Sequence, residues 1–270
     1  MAGDYILNEE AASSAPGRLE KFLKILIVIA FLVLGGKMIW LVGITPFRPF
    51  SRIDVAGYTG IAREQILAVA GVTGMSSYFS TDVRAMEIAL MNSFPTIQSA
   101  RVFRRFPDRL LITLEGRRAV ATAFASFGGR TLPVFFDSQG VIFRIGGEAE
   151  SVPLLPVVSG IIIENPVPGT RLPVMFSPFF RQLERIGTIA PELLAAVSEI
   201  RINIKPFDGF DLILYPVHSR VRVRINELNE DTLRYTLLMV DVLASREPGI
   251  ESIDFRSSIA SYTLREAASE

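Results

Sequence analysis

The chain has 270 residues, with 28 basic and 28 acidic side chains and a formal net charge of zero. This balance does not indicate a nucleic-acid-binding protein, which would carry a basic excess. Cysteine is absent and His218 is the only histidine, which excludes disulfides, thiol catalysis, a usual zinc site and a histidine-based catalytic pair. We expect His218 to lie in a surface turn.

A twenty-residue apolar run, Ile25–Ile44, is the strongest single signal in the chain. As a helix it would extend about 30 Å, the thickness of a bilayer's hydrocarbon core. A signal peptide is the alternative, but the run is long for one, no cleavage pattern follows it, and Trp40 lies where an interfacial anchor would. We predict a cytoplasmic tail at residues 1–24 and one membrane-spanning helix at residues 25–45. Lys37 is expected to extend outward to the interface, with a helix contact or a functional charge within the membrane as the alternatives.

The next segment, residues 51–118, predicts a β-α-α-β-β domain. In its last strand Leu110, Ile112 and Leu114 share one face, so one sheet covered by helices accounts for the segment. The second helix begins after a cap at Ser80, Thr81 or Asp82. The predicted elements are Arg52–Gly57, Ile61–Ala70, a capped helix that ends before Pro95, Ile97–Arg105 and Arg109–Glu115.

Residues 119–265 predict a mainly antiparallel β domain with flanking helices, followed by a short tail at residues 266–270. The whole chain is therefore assigned to the α+β class, behind a single N-terminal transmembrane helix. Ser177 is expected to cap one helix, with Pro178 in its first turn. The predicted elements are Val134–Asp137, Val141–Arg144, a helix from Ser177 to Ile186, Ser198–Asn203, Gly209–Tyr215, Ser219–Ile225, a helix over Asn229–Ser245, Ile250–Arg256 and Ala260–Leu264.

Within one of these strands, Arg220, Arg222 and Arg224 alternate with apolar residues. Such alternation is typical of an antiparallel sheet with one solvated face. A binding site for an acidic partner or an anionic polymer is the alternative.

No pattern in the sequence selects a catalytic site. A glycosidase needs two carboxylates at a set separation, but the spacing of the acidic residues selects no pair. Gly128-Gly129 and Gly146-Gly147 lack the lysine and the following helix of a phosphate loop. We therefore predict no enzyme, no catalytic residue, no metal, no cofactor and no small-molecule substrate. The carboxylates considered are Glu64, Asp82, Glu87, Asp137, Glu164, Glu184, Asp208 and Asp211.

Three segments of the first domain carry a family resemblance: Ile53–Gly57, Phe94-Pro95 and Arg101–Glu115. They resemble the POTRA domain of the FtsQ/DivIB family of bacterial cell division proteins, in which a V-x-G strand opens the fold. The closing pattern of that domain is matched by Pro95, Ile97, Ala100, Val102, Arg104, Pro107, Leu110, Ile112, Leu114 and Glu115.

The resemblance continues through Phe136–Phe143, Leu154–Gly160 and Ile253–Arg256, in the order found in that family. Two positions depart from the family pattern. Ala119 stands where a proline usually follows the POTRA glutamate, and Arg256 is followed by serine rather than by the tyrosine of some relatives.

The resemblance implies a noncatalytic scaffold of the divisome, a single-pass protein of the bacterial inner membrane concentrated at the septum. Its N-terminus would be cytoplasmic and its two domains periplasmic, where they would bind FtsB and FtsL and other division proteins. The alternative is a POTRA-containing secretion or outer-membrane assembly factor. Such proteins usually include a large β-barrel, for which this chain lacks the length and the repetition.

The resemblance also locates the partner-binding segment at the final strands. An edge strand with unpaired backbone groups can accept a strand from a partner. The alternative is an ordinary final strand whose edge stays in solvent. The predicted partner-binding residues are Asp254, Phe255, Arg256, Ser257, Ser258, Ile259, Ala260, Ser261, Tyr262, Thr263 and Leu264.

Overall fold

The computed structural model describes residues 17–58, 60–147, 155–206, 209–247, 249–257 and 259–265. Helix α1, Arg18–Ile39, continues as a π-helical turn at Trp40–Ile44 and a 3-10 turn at Thr45–Phe47. The part from Leu19 to Ile44 has a mean hydropathy of 2.6 and none of its most apolar window is buried, so it is long and apolar enough to span a membrane. The predicted fold class, α+β behind one N-terminal apolar helix, is confirmed.

The first domain contains a three-stranded sheet in the order β1-β3-β2. Strand β1 pairs parallel to β3, and β2 pairs antiparallel to β3. The predicted β-α-α-β-β order is confirmed, with boundaries within two residues for the strands. The elements are β1 Arg52–Gly57, α2 Arg63–Val69, α3 Val83–Ser93, β2 Ile97–Arg105 and β3 Arg109–Gly116.

Helix α3 begins where the sequence predicted, because the Asp82 carboxylate accepts hydrogen bonds from the backbone N–H groups of Arg84 and Ala85 at 3.0 and 3.1 Å. These bonds satisfy two of the four N–H groups that a helix leaves unpaired at its start. Leu90 of α3 is fully buried, as are Leu110 and Ile112 of β3. The helices therefore cover one face of the sheet, as the alternation in β3 predicted.

Gly57 ends β1 in a conformation that only glycine adopts readily. Its φ is +98°, and a Cβ at this position would lie 2.0 Å from the backbone carbonyl oxygen of Leu114. The Tyr58 N–H donates to the same oxygen at 2.9 Å, so the backbones of β1 and β3 are held in close approach. This approach explains why a glycine closes the first strand.

The second domain is a nine-stranded sheet in the order β12-β11-β10-β9-β8-β7-β4-β5-β6. Most neighbouring pairs are antiparallel, as predicted, but β4–β7, β7–β8 and β10–β11 are parallel. The strands are β4 Ala121–Phe127, β5 Arg130–Phe136, β6 Ile142–Ile145, β7 Val157–Ser159, β8 Val197–Ile204, β9 Phe210–Pro216, β10 Arg222–Ile225, β11 Ile250–Asp254 and β12 Ser261–Leu264. The helices are α4 Ser177–Ile189, α5 Pro191–Ala195 and α6 Glu230–Arg246.

The predicted cap of α4 is wrong. Ser177 is itself the first helical residue, Phe176 occupies the cap position, and no side chain caps the helix. A 3-10 turn at Val174–Phe176 precedes α4 and leads the chain into it. The helix also continues through Gly187 to Ile189, beyond the predicted end at Ile186.

The two domains have separate hydrophobic cores, and α1 contributes to neither. Arg117, just after β3, connects them: its side chain donates to the Asp137 carboxylate of the second domain and to the Pro95 carbonyl oxygen of the first. The separate cores support the proposed domain boundary at residue 118. A fragment of residues 48–270 therefore contains both hydrophobic cores.

Gly57→Ala is expected to destabilise this fragment by at least about 3 kcal/mol, because the added methyl group meets backbone that cannot move aside. Gly71→Ala is the matched control. Gly71 also has a positive φ, +66°, but its Cβ would meet nothing within 4 Å, so only the conformational cost of about 1 kcal/mol applies. Urea unfolding of the two variants measures the difference, and equal destabilisation would contradict the close approach at Gly57.

Candidate partner-binding edge of the large sheet

An open sheet leaves unpaired backbone groups at each of its two outer strands, and the start of β6 is covered. The Ile142 N–H donates to the Thr170 carbonyl oxygen at 2.8 Å, and the Gly169 N–H donates to the Ile142 carbonyl oxygen at 2.7 Å. Arg171 also forms a β-bridge with Val141. Residues 169–172 therefore lie along the outer edge of β6 where that strand begins.

The other outer strand is β12, and no strand within the described part of the chain lies beyond it. All four of its residues, Ser261–Leu264, are exposed. Of the two ends of the sheet, this one is thus open to an added strand.

The hydrogen-bond pattern shows which backbone groups of β12 point outward. The Phe255 N–H donates to the Arg224 carbonyl oxygen of β10 at 2.9 Å, so the groups of Asp254 and Ser252 point the other way, toward β12. Their partners there are Ser261 and Thr263. Because successive residues of a strand alternate in direction, the N–H and C=O groups of Tyr262 and Leu264 point away from the sheet.

The same alternation sorts the side chains of β12. Tyr262 lies opposite the buried Ile253, and Leu264 lies opposite the buried Ile250, so both are on the core side of the sheet. They are nevertheless 50% and 56% exposed, because nothing covers them at the edge. Thr263 is on the opposite face, where its hydroxyl lies 2.7 Å from that of Ser252.

Helix α6 adds an exposed apolar face that the sequence analysis missed. Tyr235, Leu238 and Val242 lie on one side of α6 and are exposed. The Tyr235 ring packs edge-on against Phe255, with centroids 5.7 Å apart. The sequence did contain this face, because Tyr235, Leu238 and Val242 are spaced by three and four positions and lie apart from the buried residues of α6.

Helix α6 itself runs alongside β11. The Ile250 N–H donates to the Glu247 carbonyl oxygen at 3.2 Å, so the end of α6 turns directly into the start of β11. Helix α6 therefore runs antiparallel to β11 and in the same direction as β12. Within the exposed face, Tyr235 contacts the final strands through Phe255, whereas Leu238 and Val242 lie on the side of α6 opposite its buried residues.

Three of the predicted binding residues are held by contacts within the fold, Phe255 with the core and Asp254 and Arg256 with each other. Phe255 packs against the core, and the Arg256 guanidinium reaches the buried Asp211 carboxylate at 2.6 Å. Arg256 also binds both carboxylate oxygens of Asp254, at 2.9 and 3.0 Å from its Nε. These residues hold the connection from β11 to β12 in place.

The Arg256 guanidinium lowers the pKa of Asp254, chiefly through these hydrogen bonds, and the two carboxylates raise the pKa of Arg256 above its ordinary value. The stabilisation from Asp254 is therefore complete above the ordinary carboxyl pKa. It is lost as the pH falls through the lowered pKa.

The remaining predicted residues lie on the turn and the strand. The Ser257 hydroxyl donates to the Ile259 carbonyl oxygen at 2.7 Å, and Ile259 and Ala260 are exposed. Ser258 lies outside the described residues. The structure thus brings Ser257 and residues 259–264 to one surface and separates them from Asp254, Phe255 and Arg256.

Four of the carboxylates considered for catalysis, Asp82, Glu87, Asp137 and Asp211, bind groups of the fold. Glu87 accepts the Val102 N–H at 2.8 Å, and Asp137 accepts the Gln139 and Val141 N–H groups at 2.9 and 2.8 Å. Asp208 lies outside the described residues. Among the residues that the structure does describe, no cluster of three His, Asp or Glu side chains could hold a metal ion.

The other sequence features appear where they were expected. His218 is exposed in the turn after β9. In and just before β10, Val221, Val223 and Ile225 are buried while the three arginines are exposed. Arg222 binds Glu251 of β11, so part of that basic row is neutralised by its neighbour.

Comparison with known proteins identifies the first domain. A family model described as "POTRA domain, FtsQ-type" matches residues 48–117. The cell division protein FtsQ of Syntrophotalea carbinolica is 25% identical over 199 residues, which cover 73% of this chain and 66% of that protein. The cell division protein DivIB of Bacillus cytotoxicus is 24% identical over 210 residues, covering 77% of this chain and 74% of that protein.

Over most of its length the chain is similar to FtsQ and DivIB cell division proteins. A third relative, the cell division protein FtsQ of Koribacter versatilis, is 25% identical over 205 residues. The FtsQ/DivIB match extends beyond the POTRA domain into the large sheet, because these alignments cover 68 to 77% of the chain. The chain spans 66% and 57% of the length of the two FtsQ relatives.

Arg256→Ala is expected to destabilise the fragment of residues 48–270 by about 3 kcal/mol at neutral pH, because it leaves the buried Asp211 carboxylate without its main charged partner. Arg222→Ala is the control, since the Arg222–Glu251 pair is exposed and its loss should cost below about 1 kcal/mol. Denaturant unfolding measures both. Equal effects would show that the Arg256 cluster does not hold the final strands.

Proposed function

We propose that the chain is a noncatalytic, membrane-anchored scaffold of the bacterial division machinery that binds FtsB and FtsL along the open edge of β12. The observation that carries this proposal is the pair of outward-pointing backbone groups on Tyr262 and Leu264 at the uncovered end of the large sheet. The cell division names of its relatives favour this role over secretion or outer-membrane assembly.

The open edge suits a partner that binds as an added strand. Main-chain hydrogen bonds to Tyr262 and Leu264 would supply affinity, since they replace bonds to water with bonds in a regular ladder. The half-exposed side chains of the same two residues lie on the core side of the sheet. The partner's apolar side chains would cover them and thereby supply specificity.

Tyr235 of α6 extends this surface through its contact with Phe255. A partner that continues past the strand as a helix or loop would bury the Tyr235 ring, which is about half exposed. Aromatic residues at such a surface usually contribute much of the binding free energy. The proposed binding site is therefore β12 together with Tyr235, and Asp254 and Arg256 hold the turn that leads into β12.

The proposed topology follows from α1. With the N-terminus in the cytoplasm, α1 crosses the inner membrane once and places both domains in the periplasm. There the open edge would meet the periplasmic parts of other single-pass division proteins. Binding through the edge would link those proteins at the septum without any reaction at the site.

A proline at position 262 tests the strand contact. Tyr262→Pro removes an outward N–H but none of the hydrogen bonds to β11, so the sheet should remain folded. Binding of the cognate periplasmic FtsB segment to residues 48–270 should weaken at least tenfold, about 1.4 kcal/mol. Titration calorimetry measures the affinity, and circular dichroism verifies the fold.

Tyr262→Val is the matched control, because it removes the aromatic ring but keeps the outward N–H. Its affinity should remain closer to that of the unmodified fragment than to that of Tyr262→Pro. If the proline variant is folded and binds as tightly as the unmodified fragment, the partner does not add a strand at β12.

A further inference from the structure

Backbone contacts connect the segment just after α1 to one end of the POTRA domain. The Phe50 N–H donates to the Ser76 carbonyl oxygen at 3.0 Å, and Pro49 forms a β-bridge with Ser77. The loop around Ser76 therefore lies beside Phe47, only three residues beyond the last apolar turn at Ile44. Any membrane that α1 spans must end close to this loop.

Aromatic and apolar side chains collect at this end of the domain. The Phe79 ring lies 5.1 Å from the Phe47 ring and 5.2 Å from the Tyr78 ring, and Tyr78 lies 5.9 Å from Phe106. Despite these contacts, Phe47, Phe79 and Phe106 are all exposed, and Met75 is 82% exposed. We call Phe47, Met75, Phe79 and Phe106 the membrane-proximal apolar patch.

Arginines surround this patch. Register pairs Arg109 with Arg52 on one side and with Arg105 on the other, so three arginines lie side by side at one end of the sheet. Arg48 lies over the Trp40 ring at 5.9 Å, and Arg104 lies over the Tyr78 ring at 5.3 Å.

Acidic residues do not balance these arginines. Asp54 binds Arg52 at 3.0 Å. Asp108 lies in the turn between β2 and β3, where its carbonyl oxygen accepts the Ser51 N–H at 2.9 Å. Asp82 caps α3 directly after Thr81, whose carbonyl oxygen Arg104 contacts. Three carboxylates therefore lie near five arginines at this end of the domain.

We propose that the membrane-proximal apolar patch inserts into the outer surface of the same membrane that α1 spans, with the surrounding arginines against anionic phospholipid headgroups. Aromatic side chains favour the interface between headgroups and acyl chains, and basic residues near it are attracted to anionic lipid. Because the patch lies directly next to the end of α1, the membrane that α1 spans is the surface that would cover it. The POTRA domain would then rest on the membrane instead of moving freely on a linker.

Bromine-labelled lipids test the insertion in the full chain reconstituted in vesicles. In a Trp40→Phe background, Phe79→Trp reports on the patch and Phe124→Trp is the control, because both phenylalanines are 58% exposed but Phe124 lies on β4 of the second domain. Lipid brominated near the headgroup end of its acyl chain should quench the tryptophan at 79 at least about twofold more than that at 124. Equal quenching of the two would overturn the proposal.

The headgroup contact has its own test. Quenching at position 79 should be stronger in vesicles containing phosphatidylglycerol than in pure phosphatidylcholine, and Arg48→Glu with Arg105→Glu should abolish that difference. Quenching that is equal in both lipids would overturn the role of the arginines.

A second probe covers the case in which a tryptophan at 79 disturbs the loop. Because the chain has no cysteine, Met75→Cys and Ile162→Cys each provide a single site for an environment-sensitive fluorophore, at positions that are 82% and 88% exposed. The label at 75 should be quenched by nitroxide-labelled lipid and that at 162 should not. If lipid quenches neither label, the patch lies in water and the proposal is wrong.

Discussion

The unpaired backbone at the two ends of an open sheet is the constraint that shapes the second domain. Each outer strand presents N–H and C=O groups that must bind water, another part of the chain or another protein. At the start of β6 the chain itself supplies partners, because Gly169 and Thr170 form hydrogen bonds to Ile142. At β12 Tyr262 and Leu264 face outward with no described strand beside them. This difference between the two ends is what makes β12 the candidate binding edge.

Strand β12 is a short edge strand, and the Asp211–Arg256–Asp254 cluster holds the turn that leads into it. Asp211 is buried within the sheet and Arg256 reaches it from the turn after β11, while Asn226 donates to the Arg256 carbonyl oxygen at 2.8 Å. A buried carboxylate is tolerable only when it is paired, so the cluster fixes the position of the turn. Strand β12 therefore starts from a fixed point although all of its own side chains are exposed.

The sequence was sufficient to predict most elements and insufficient to predict how the second sheet is ordered. Strands β1, β2 and β3 were found because alternation, Gly57 and Pro107 mark their limits locally. Strand β7, by contrast, has three residues and joins β4 to β8 through parallel pairing, which depends on residues far away in the chain. No local pattern identifies such a strand.

Pairing between residues far apart in the chain also explains why the predicted binding residues do not all lie on one exposed surface. Residues 259–264 are exposed, whereas Arg256 lies against Asp211, a residue 45 positions away in the chain. Pairing over that distance cannot be read from spacing. The exposed face of α6 was missed because an apolar helical residue is usually assigned to the core, whereas Leu238 and Val242 lie outside it.

Residue-resolved hydrogen exchange tests the central claim most directly. In residues 48–270 without a partner, the amides of Tyr262 and Leu264 should exchange rapidly, while that of Thr263, bonded to β11, should be protected. Adding the periplasmic FtsB segment should protect Tyr262 and Leu264 as well. If these two amides are already protected in the free fragment, or if the partner binds without protecting them, the open edge of β12 is not the binding site.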